Sequence, residues 1–287
     1  MEREVHKVYK THGAGNDFVI LVGTGESATD TMAAAALELC DRHRSIGADG
    51  LVWVDTAAMP ALACVQVWNP DGSVVGMCLN AARCVVVLLR RLFDIVQVEI
   101  RFASVAIQAR ATPDGARLQF VLHASESGDP AVSEISPGAW FVGLADPHVV
   151  VGCDSAGSLH DAPLADIAMA HAAGGGLCDR PPNCHLVSRA DRHGHHYIRS
   201  FERRVEAETL ACGSGCVASY LALSLDGEHT FHTKSGDPIR LERCGSHWSL
   251  EGPAVIAFET DLHVAALAGA IAGSPAALDA AASSDSR

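Results

Sequence analysis

Two short segments are the most informative features of this sequence: Met77-Cys78-Leu79-Asn80-Ala81-Ala82-Arg83-Cys84 and Ala211-Cys212-Gly213-Ser214-Gly215-Cys216. In each, a cysteine follows an extended polar stretch and precedes an apolar run that predicts a helix. The start of a helix offers unpaired N–H donors and a positive dipole end. That environment lowers the pKa of a thiol and also binds a carboxylate. One such cysteine in each half of the chain suggests two thiols that face one carbon atom from opposite sides.

Length and composition indicate a folded protein with two modest domains. The 287 residues are 48% hydrophobic and 19% charged, and the formal net charge is −13. This charge argues against nucleic acid or an anionic membrane as a partner, because either would need a basic face. The first ten residues are charged and lack the apolar segment of a signal peptide. We therefore expect a cytoplasmic protein.

The remaining cysteines and histidines give no metal-site pattern. Most of the other cysteines stand singly in apolar or mixed surroundings, where we expect small buried hydrophobic side chains; they are Cys40, Cys64, Cys153, Cys178 and Cys244. The spacing after Cys78 and Cys212 lacks the second ligand pair of a zinc site. A histidine cluster at 193–196 follows Asp191-Arg192, and an exposed hairpin turn is favoured there over a metal site.

Patterns along the chain predict many strands, few helices and a domain boundary. Helices are expected after each of the two cysteines and over residues 31–42, with Asp30 as N-cap. The polar stretch from Ser125 to Pro130 has the composition of a linker. The predicted domains are residues 1–124, which carry Cys78, and 125–263, which carry Cys212. Residues 264–287 are predicted to be a flexible, alanine-rich tail.

Spacing suggests that the two halves are duplicates. Cys78 and Cys212 lie 212 − 78 = 134 residues apart. The preceding turn elements, which begin at Asn16 and Asp146, lie 146 − 16 = 130 residues apart. Similar offsets fit a pseudo-twofold pair of domains, with a site expected in the cleft between them.

A pair of thiols has a specific chemical use. Inverting an amino acid at Cα needs a base on one face and an acid on the other, and a thiolate and a thiol can exchange these roles at each turnover. Without a cofactor, the carbanion must be stabilised by aligned N–H dipoles in a dry site. The residues alone therefore indicate that proton transfer between two thiols is feasible.

The chain resembles the diaminopimelate epimerase family up to about His263. The resemblance implies an α/β (α+β) fold of two pseudo-symmetric domains, each a mixed or antiparallel sheet wrapped around a central helix. The matching segments, in the family's order, are His12–Val19, Asp41-Arg42, Ile46–Leu51, Asn69–Ser73, Met77-Cys78, Asn80, Arg83-Cys84, Asp146–His148, Asn183, Phe201–Arg203, Glu208–Gly215 and Gly252–Ala254.

The resemblance also implies roles for individual residues. Cys78 and Cys212 match the family's acid and base, and no cofactor or metal is implied. Backbone amides near Leu79-Asn80 and Gly213-Ser214 would hold the reacting carboxylate. His148 matches a histidine beside the reacting centre. The positions that match binders of the rest of the substrate are Asn16, Asn69, Asn183, Glu202 and Arg203; for Asn16 and Asn69 the residues alone favour a simple turn role.

Three departures from the family pattern bear on the substrate. Leu79-Asn80-Ala81 replaces Gly-Asn-Gly, and residues 202–209 are one residue longer and lack the glycines, so both loops are expected to change shape. Asp146 replaces an asparagine that helps to bind the distal carboxylate of diaminopimelate. An aspartate there repels a carboxylate, unless it is protonated or offset by Arg203, and favours an ammonium group.

The sequence thus predicts a cofactor-independent amino-acid racemase or epimerase whose substrate is a basic diamino acid such as 2,4-diaminobutyrate. Two alternatives stay open. One is a true diaminopimelate epimerase in which Asp146 points away from the substrate. The other is an inactive homologue that binds thiols or metal. The expected partner is a small amino acid, without nucleic acid or membrane, and a homodimer is left open.

Overall fold

Strands dominate the computed structural model, which describes residues 6–25, 27, 29–103, 105–122, 130–173, 181–203 and 205–262. Within these residues the helices are α1 (Thr29–Leu39), α2 (Leu79–Phe93), α3 (Ala156–Asp161), α4 (Leu164–Ala173) and α5 (Gly213–Ala222). None of these helices is long and apolar enough to cross a membrane.

The strands of the same residues are numbered in chain order. They are β1 (His6–Gly13), β2 (Asn16–Gly23), β3 (Gly50–Asp55), β4 (Leu62–Trp68), β5 (Val74–Val75), β6 (Gln97–Arg101), β7 (Ala106–Ala111), β8 (Gly115–Val121), β9 (Ala131–Ser136), β10 (Ala139–Gly143), β11 (Pro147–Cys153), β12 (Asn183–Ser188), β13 (His195–Glu202), β14 (Ala207–Thr209), β15 (Gly227–His232), β16 (Pro238–Cys244), β17 (His247–Pro253) and β18 (Val255–Leu262).

The chain divides into two compact units. Among the described residues, unit 1 takes those within 1–13, 17–116 and 254–287, and unit 2 takes those within 14–16 and 117–253. Strand β18 lies in unit 1, although the sequence-based ranges placed it in the second domain, because it pairs antiparallel with β1. Residues 125–129 and the predicted tail over 264–287 lie outside the described residues, so the domain ranges stay a prediction.

Helix α2 forms the centre of unit 1. Ten of its 15 residues are buried, and it packs against β1, β6, β7 and β18. Its apolar run Val85–Leu89 is continuous, and four of these five residues are buried, as expected for a helix with core on most of its sides. The helix ends at Phe93: the Asp94 N–H still donates to the Arg90 carbonyl, but the left-handed φ of 55° at Asp94 turns the chain out of the helix.

Helix α1 is shorter than the sequence predicts. It begins at Thr29, so Asp30 lies in its first turn and is not the N-cap. It ends at Leu39 because the chain turns back on it: the Gly47 N–H donates to the Leu39 carbonyl at 2.9 Å, and the Ala48 N–H donates to the Cys40 carbonyl at 3.2 Å. Sequence spacing alone did not reveal this return.

A network of ion pairs connects the start of β2 with the loop before β3. The Asp17 carboxylate accepts hydrogen bonds from Lys10 Nζ at 2.6 Å and from both terminal nitrogens of Arg42 at 2.6 and 3.0 Å. Arg42 also binds Asp49 at 2.7 Å. Burial raises the pKa of Asp17, but the combined hydrogen bonds and charges of Arg42 and Lys10 outweigh it and lower that pKa to about 2.

Helix α5 has the corresponding place in unit 2. Eight of its ten residues are buried, and it packs against β10, β11, β12 and β16. The Tyr220 ring lies edge-on to Trp248 at 5.3 Å between ring centroids. Its hydroxyl donates to the Gly227 carbonyl at 2.8 Å, so the polar end of this buried ring is satisfied.

The same order of strand pairings occurs in both units. In unit 1, β2 is parallel to β3, β3 antiparallel to β4, β4 parallel to β6, and β6 antiparallel to β7. In unit 2, β11, β12, β13, β15 and β16 repeat these four relationships in order. Helix α2 precedes β6 as α5 precedes β15. The duplication predicted from spacing is thus present in the topology, and the mixed α/β fold is confirmed.

Candidate active site

Cys78 is the N-cap of α2. Its backbone is extended (φ −140°, ψ 110°), and its Sγ accepts the N–H of Ala81 at 3.4 Å. The Ala82 N–H donates to the Cys78 carbonyl at 2.9 Å. A cysteine here takes the place of the serine or aspartate that usually caps a helix. The side chain is partly exposed.

The residues after Cys78 fix this helix start in unit 1. Leu79 and Asn80 are buried, and Asn80 Oδ1 accepts a hydrogen bond from Arg83 Nη2 at 2.9 Å. Gly13, at the end of β1, lies so close that a Cβ there would be 3.0 Å from the Asn80 carbonyl oxygen. The glycine therefore permits the close approach of β1 to the first turn of α2.

Asn69 has the turn role that the residues alone favoured. Its backbone N–H donates to the Ser73 carbonyl at 2.9 Å, and its Nδ2 donates to Ser73 Oγ at 2.8 Å. Asn16, which is half-buried, follows a turn in which Gly15 has φ +85°. A Cβ at Gly15 would lie 2.8 Å from Leu210 Cδ1.

Cys212 is the N-cap of α5, with the same extended backbone (φ −127°, ψ 108°). Its Sγ accepts the N–H of Gly215 at 3.4 Å and lies 3.4 Å from Ser214 Oγ. Gly213 and Ser214 form the first turn of the helix. Cys212 is buried, with 5% of its surface exposed.

The pKa of Cys212 moves opposite to the expectation from its helix position. Burial raises this pKa well above that of an ordinary thiol, and the negative charge of Glu202 raises it further. The hydrogen bonds from Ser214 and Gly215 lower it but are outweighed. Desolvation, which sequence cannot show, therefore exceeds the effect of the helix end.

Glu202, near the end of β13, is held by the strand beside it. Its Oε1 accepts a hydrogen bond from Thr209 Oγ1 at 2.6 Å, and β13 pairs with β14 so that Glu202 lies opposite Ala207. Thr209 is three residues before Cys212, so this bond links the carboxylate to the segment that leads into α5.

Three of the predicted substrate binders are joined in unit 2. Arg203 Nη2 donates to Asp146 Oδ1 at 2.7 Å, and the Arg203 backbone N–H donates to Asn183 Oδ1 at 3.1 Å. The Arg203 side chain is 12% exposed and that of Asp146 is 40% exposed. The positive charge of Arg203 is therefore matched locally by Asp146.

His148 lies on β11 and is fully buried. Its Nδ1 is 2.8 Å from His185 Nε2, and His185 Nδ1 is 2.9 Å from Ser200 Oγ. Sequence reasoning missed His185 and Ser200, since a histidine within an apolar strand gives no signal of its partners, and it quoted Gly215 in the Cys212 motif without giving it a role. A Cβ at Gly215 would lie 2.4 Å from His185 Cε1, so α5 approaches that ring closely.

The predicted burial of the other cysteines and the predicted exposed turn at the histidine cluster are only partly confirmed. Cys40 is buried as expected, and its pKa is raised to about 12 by burial, but Cys64 and Cys153 are partly exposed and Cys244 is exposed. Cys178 lies outside the described residues.

At the histidine cluster the turn is present, but β13 begins at His195 and His196 is buried. Among the described residues, no group of three or more His, Cys, Asp or Glu could hold a metal ion.

Solved structures with the same fold are enzymes and related proteins of distant sequence. A phenazine biosynthesis protein of the PhzF family from Enterococcus faecalis is 12% identical, with a TM-score of 0.68 over 91% of this chain and 100% of that chain. A hydroxyproline epimerase from Agrobacterium vitis is 13% identical, with a TM-score of 0.59 over 92% and 93%. These likenesses show the mixed, strand-dominated α/β fold.

Sequence relatives are more specific. The family model for diaminopimelate epimerase matches residues 8–122. The diaminopimelate epimerase of Rhodospirillum centenum is 30% identical over 93% of this chain and 96% of its own, and that of Desulforudis audaxviator is 33% identical over 76% and 83%. The protein is an isomerase of the racemase and epimerase class. It belongs to the diaminopimelate epimerase family, as its motifs predicted.

Proposed function

We propose that this protein inverts an amino acid at Cα without a cofactor, using Cys78 and Cys212 as the two proton-transferring groups. The observation that carries the proposal is the repeated site: in two units of the same topology, a cysteine caps the buried helix and its Sγ accepts the N–H three residues on, at 3.4 Å. Two thiols in the same position at the start of a helix fit a reaction that uses two groups of the same kind.

The reaction needs one thiolate and one thiol. In one direction the Cys78 thiolate takes the Cα proton, so that an S–H bond forms and the Cα–H electron pair enters the carboxylate π system. The Cys212 thiol then gives its proton to the opposite face of Cα and becomes the thiolate. The raised pKa of Cys212 supports its role as the acid, because it keeps that thiol protonated. The reverse direction exchanges the two roles.

The substrate carboxylate is assigned to the two helix starts. The amides at Leu79-Asn80 and Gly213-Ser214 belong to the first turns of α2 and α5, where N–H groups point out of the helix. These dipoles would stabilise the negative charge that develops on the carboxylate in the transition state. His148 is assigned to the same centre, and Asn16, Asn69, Asn183 and Glu202 to the rest of the substrate.

The substrate class follows from the charge at Asp146 and Arg203. Their 2.7 Å ion pair has no net charge, whereas an asparagine beside the same arginine would leave a net positive charge. A distal carboxylate is therefore bound weakly here, and an ammonium group can share the Asp146 carboxylate. A basic diamino acid such as 2,4-diaminobutyrate fits this arrangement.

Diaminopimelate is the second candidate substrate. Relatives over nearly the whole chain are named diaminopimelate epimerase, and Arg203 supplies a guanidinium that can bind a carboxylate if Asp146 turns away.

Exchange of the Cα proton in heavy water tests both candidates. Each substrate is incubated with enzyme in deuterium oxide, and deuterium at Cα is followed by mass spectrometry together with the ratio of stereoisomers. We expect 2,4-diaminobutyrate to exchange faster than diaminopimelate. Faster exchange of diaminopimelate than of every monocarboxylic diamino acid supports the second candidate, and no exchange with any amino acid contradicts the proposed function.

A further inference from the structure

A buried chain of three polar side chains runs through unit 2, from Ser200 through His185 to His148. Ser200 and His185 face each other across the antiparallel pair β12–β13, and His148 lies on β11, which is parallel to β12. The three side chains are at most 3% exposed. The two imidazole rings stack at 5.1 Å between centroids, with 30° between their planes.

This series of hydrogen bonds ends at His148. Among the described residues, His148 Nε2 is buried and has no hydrogen-bond partner. Leaving a buried polar atom unpaired costs free energy, so each such atom calls for an explanation, and a role in binding or catalysis is one of them.

Hydrogen-bond capacity decides how the protons are arranged. If Ser200 donates to His185 Nδ1, then His185 Nε2 carries the proton and donates to His148 Nδ1, and His148 carries its own proton on Nε2. In the reverse arrangement, His148 Nδ1 donates to His185 Nε2, and His185 Nδ1 donates to Ser200 Oγ. The Ser200 hydroxyl proton then has no acceptor among the described contacts of its oxygen, and His148 Nε2 is an acceptor without a donor. The first arrangement leaves fewer buried groups unpaired, since only the His148 Nε2–H awaits a partner.

We propose that His185, supported by Ser200, is a positioning residue that holds His148 in the tautomer with its proton on Nε2. His148 then presents a neutral N–H donor to the reacting amino acid. This inference rests on the proposed function, which places His148 at the reacting centre.

Two further observations agree with this assignment. Burial lowers the pKa of His148 to about 4 and that of His185 well below its usual value, so both rings are neutral near pH 7. The His185 ring also lies against the first turn of α5, where a Cβ at Gly215 would overlap it. The ring that sets the tautomer of His148 is therefore in contact with the helix that Cys212 caps.

The tautomer is measured directly on the intact protein. Long-range ¹H–¹⁵N spectra of protein with ¹⁵N-labelled histidine distinguish a protonated from a bare ring nitrogen, and His148→Gln identifies the resonances. We expect Nε2 to be protonated and Nδ1 bare at His148 throughout the population, with a share of the Nδ1-protonated tautomer appearing in His185→Leu and a smaller share in Ser200→Ala. A proton on Nδ1 in the unaltered protein, or an unchanged tautomer in His185→Leu, overturns the inference. This readout does not need activity, so its failure is separate from that of the proposed function.

Kinetics supply the second readout. Loss of one hydrogen bond to developing charge lowers kcat by about tenfold, so we expect this in His185→Leu, with KM changed less than about twofold. His185→Gln keeps an N–H donor and should recover part of the loss. The matched control is His196→Gln, a buried histidine of the same unit that lies 2.9 Å from the Ser188 carbonyl. Equal losses in His185→Leu, His185→Gln and the control would indicate a merely structural role.

Discussion

Cys78 and Cys212 have the same relationship to their helices. Each is the N-cap, each has extended backbone, and each Sγ accepts the N–H of the residue three positions later at 3.4 Å. They differ in exposure, since Cys78 is partly exposed and Cys212 is buried. The repeat therefore gives two cysteines with the same backbone and hydrogen-bond geometry in surroundings that differ in exposure.

Removing either thiol should abolish inversion. We expect Cys78→Ala and Cys212→Ala each to lower kcat by at least about a hundredfold, because one face of Cα loses its only proton-transfer group. The matched controls are Cys84→Ala and Cys216→Ala, which alter buried cysteines of the same two helices. Racemisation followed by chiral chromatography checks this. Near-normal activity in either of the first two variants would refute the two-thiol mechanism.

Removing the charge of Asp146 should change substrate preference. In Asp146→Asn the guanidinium of Arg203 loses its 2.7 Å partner and becomes available to a distal carboxylate. We expect kcat/KM for diaminopimelate, relative to 2,4-diaminobutyrate, to rise about tenfold. Asp154→Asn, which alters an exposed aspartate 3.5 Å from Arg189 in the same unit, is the control. An unchanged ratio would show that the Asp146 charge does not reach the substrate.

Neutralising Glu202 should make Cys212 more reactive at a given pH. The Glu202 charge contributes to the raised pKa of Cys212, so Glu202→Gln should lower that pKa and shift the pH profile of alkylation towards lower pH. Iodoacetamide labelling of Cys212, mapped by mass spectrometry across pH, measures the shift. Glu242→Gln, at an exposed position on β16, should leave the profile in place. A profile that moves to higher pH would contradict the assigned effect of Glu202.

The Asp17 network should make stability depend on pH. The folded pKa of Asp17 is lowered from 3.8 to about 2, so its charge stabilises the folded state above pH 3.8, and this contribution is lost as the pH falls through about 2. We expect Asp17→Asn to lower the free energy of unfolding by about 2 kcal/mol at pH 7 and by progressively less below pH 3.8. Urea unfolding checks this, with exposed Asp30→Asn as the control. A difference that grows on acidification would contradict the sign.

Local patterns in the sequence predicted much of the fold. The predominance of strands, the turn at Asn69 and the helices that follow Cys78 and Cys212 depend on neighbours within a few residues, and all are present. What depends on distant partners was not predictable. The pairing of β18 with β1 joins residues about 250 positions apart along the chain, and the end of α1 is set by a loop that returns from Gly47.

The candidate site divides in the same way. Sequence placed Cys78 and Cys212 at helix starts, which the structure shows, but it could not give the burial that raises the pKa of Cys212. The sequence left open whether Arg203 neutralises the charge of Asp146, and the 2.7 Å ion pair between them shows that it does. It gave no indication of the His148–His185 contact, because two histidines 37 residues apart meet only through strand register.

The close approach of Gly215 to His185 restricts which substitutions these two positions can accept in evolution. A Cβ at position 215 would lie only 2.4 Å from Cε1 of the His185 ring, which is too close for two non-bonded carbons. A chain that acquires alanine at 215 must therefore replace His185 with a smaller side chain or move α5, and the helix carries Cys212 with it. Positions 185 and 215 should vary together among close homologues: a ring at 185 should occur only with glycine at 215, and other residues at 215 should be accompanied by small side chains at 185.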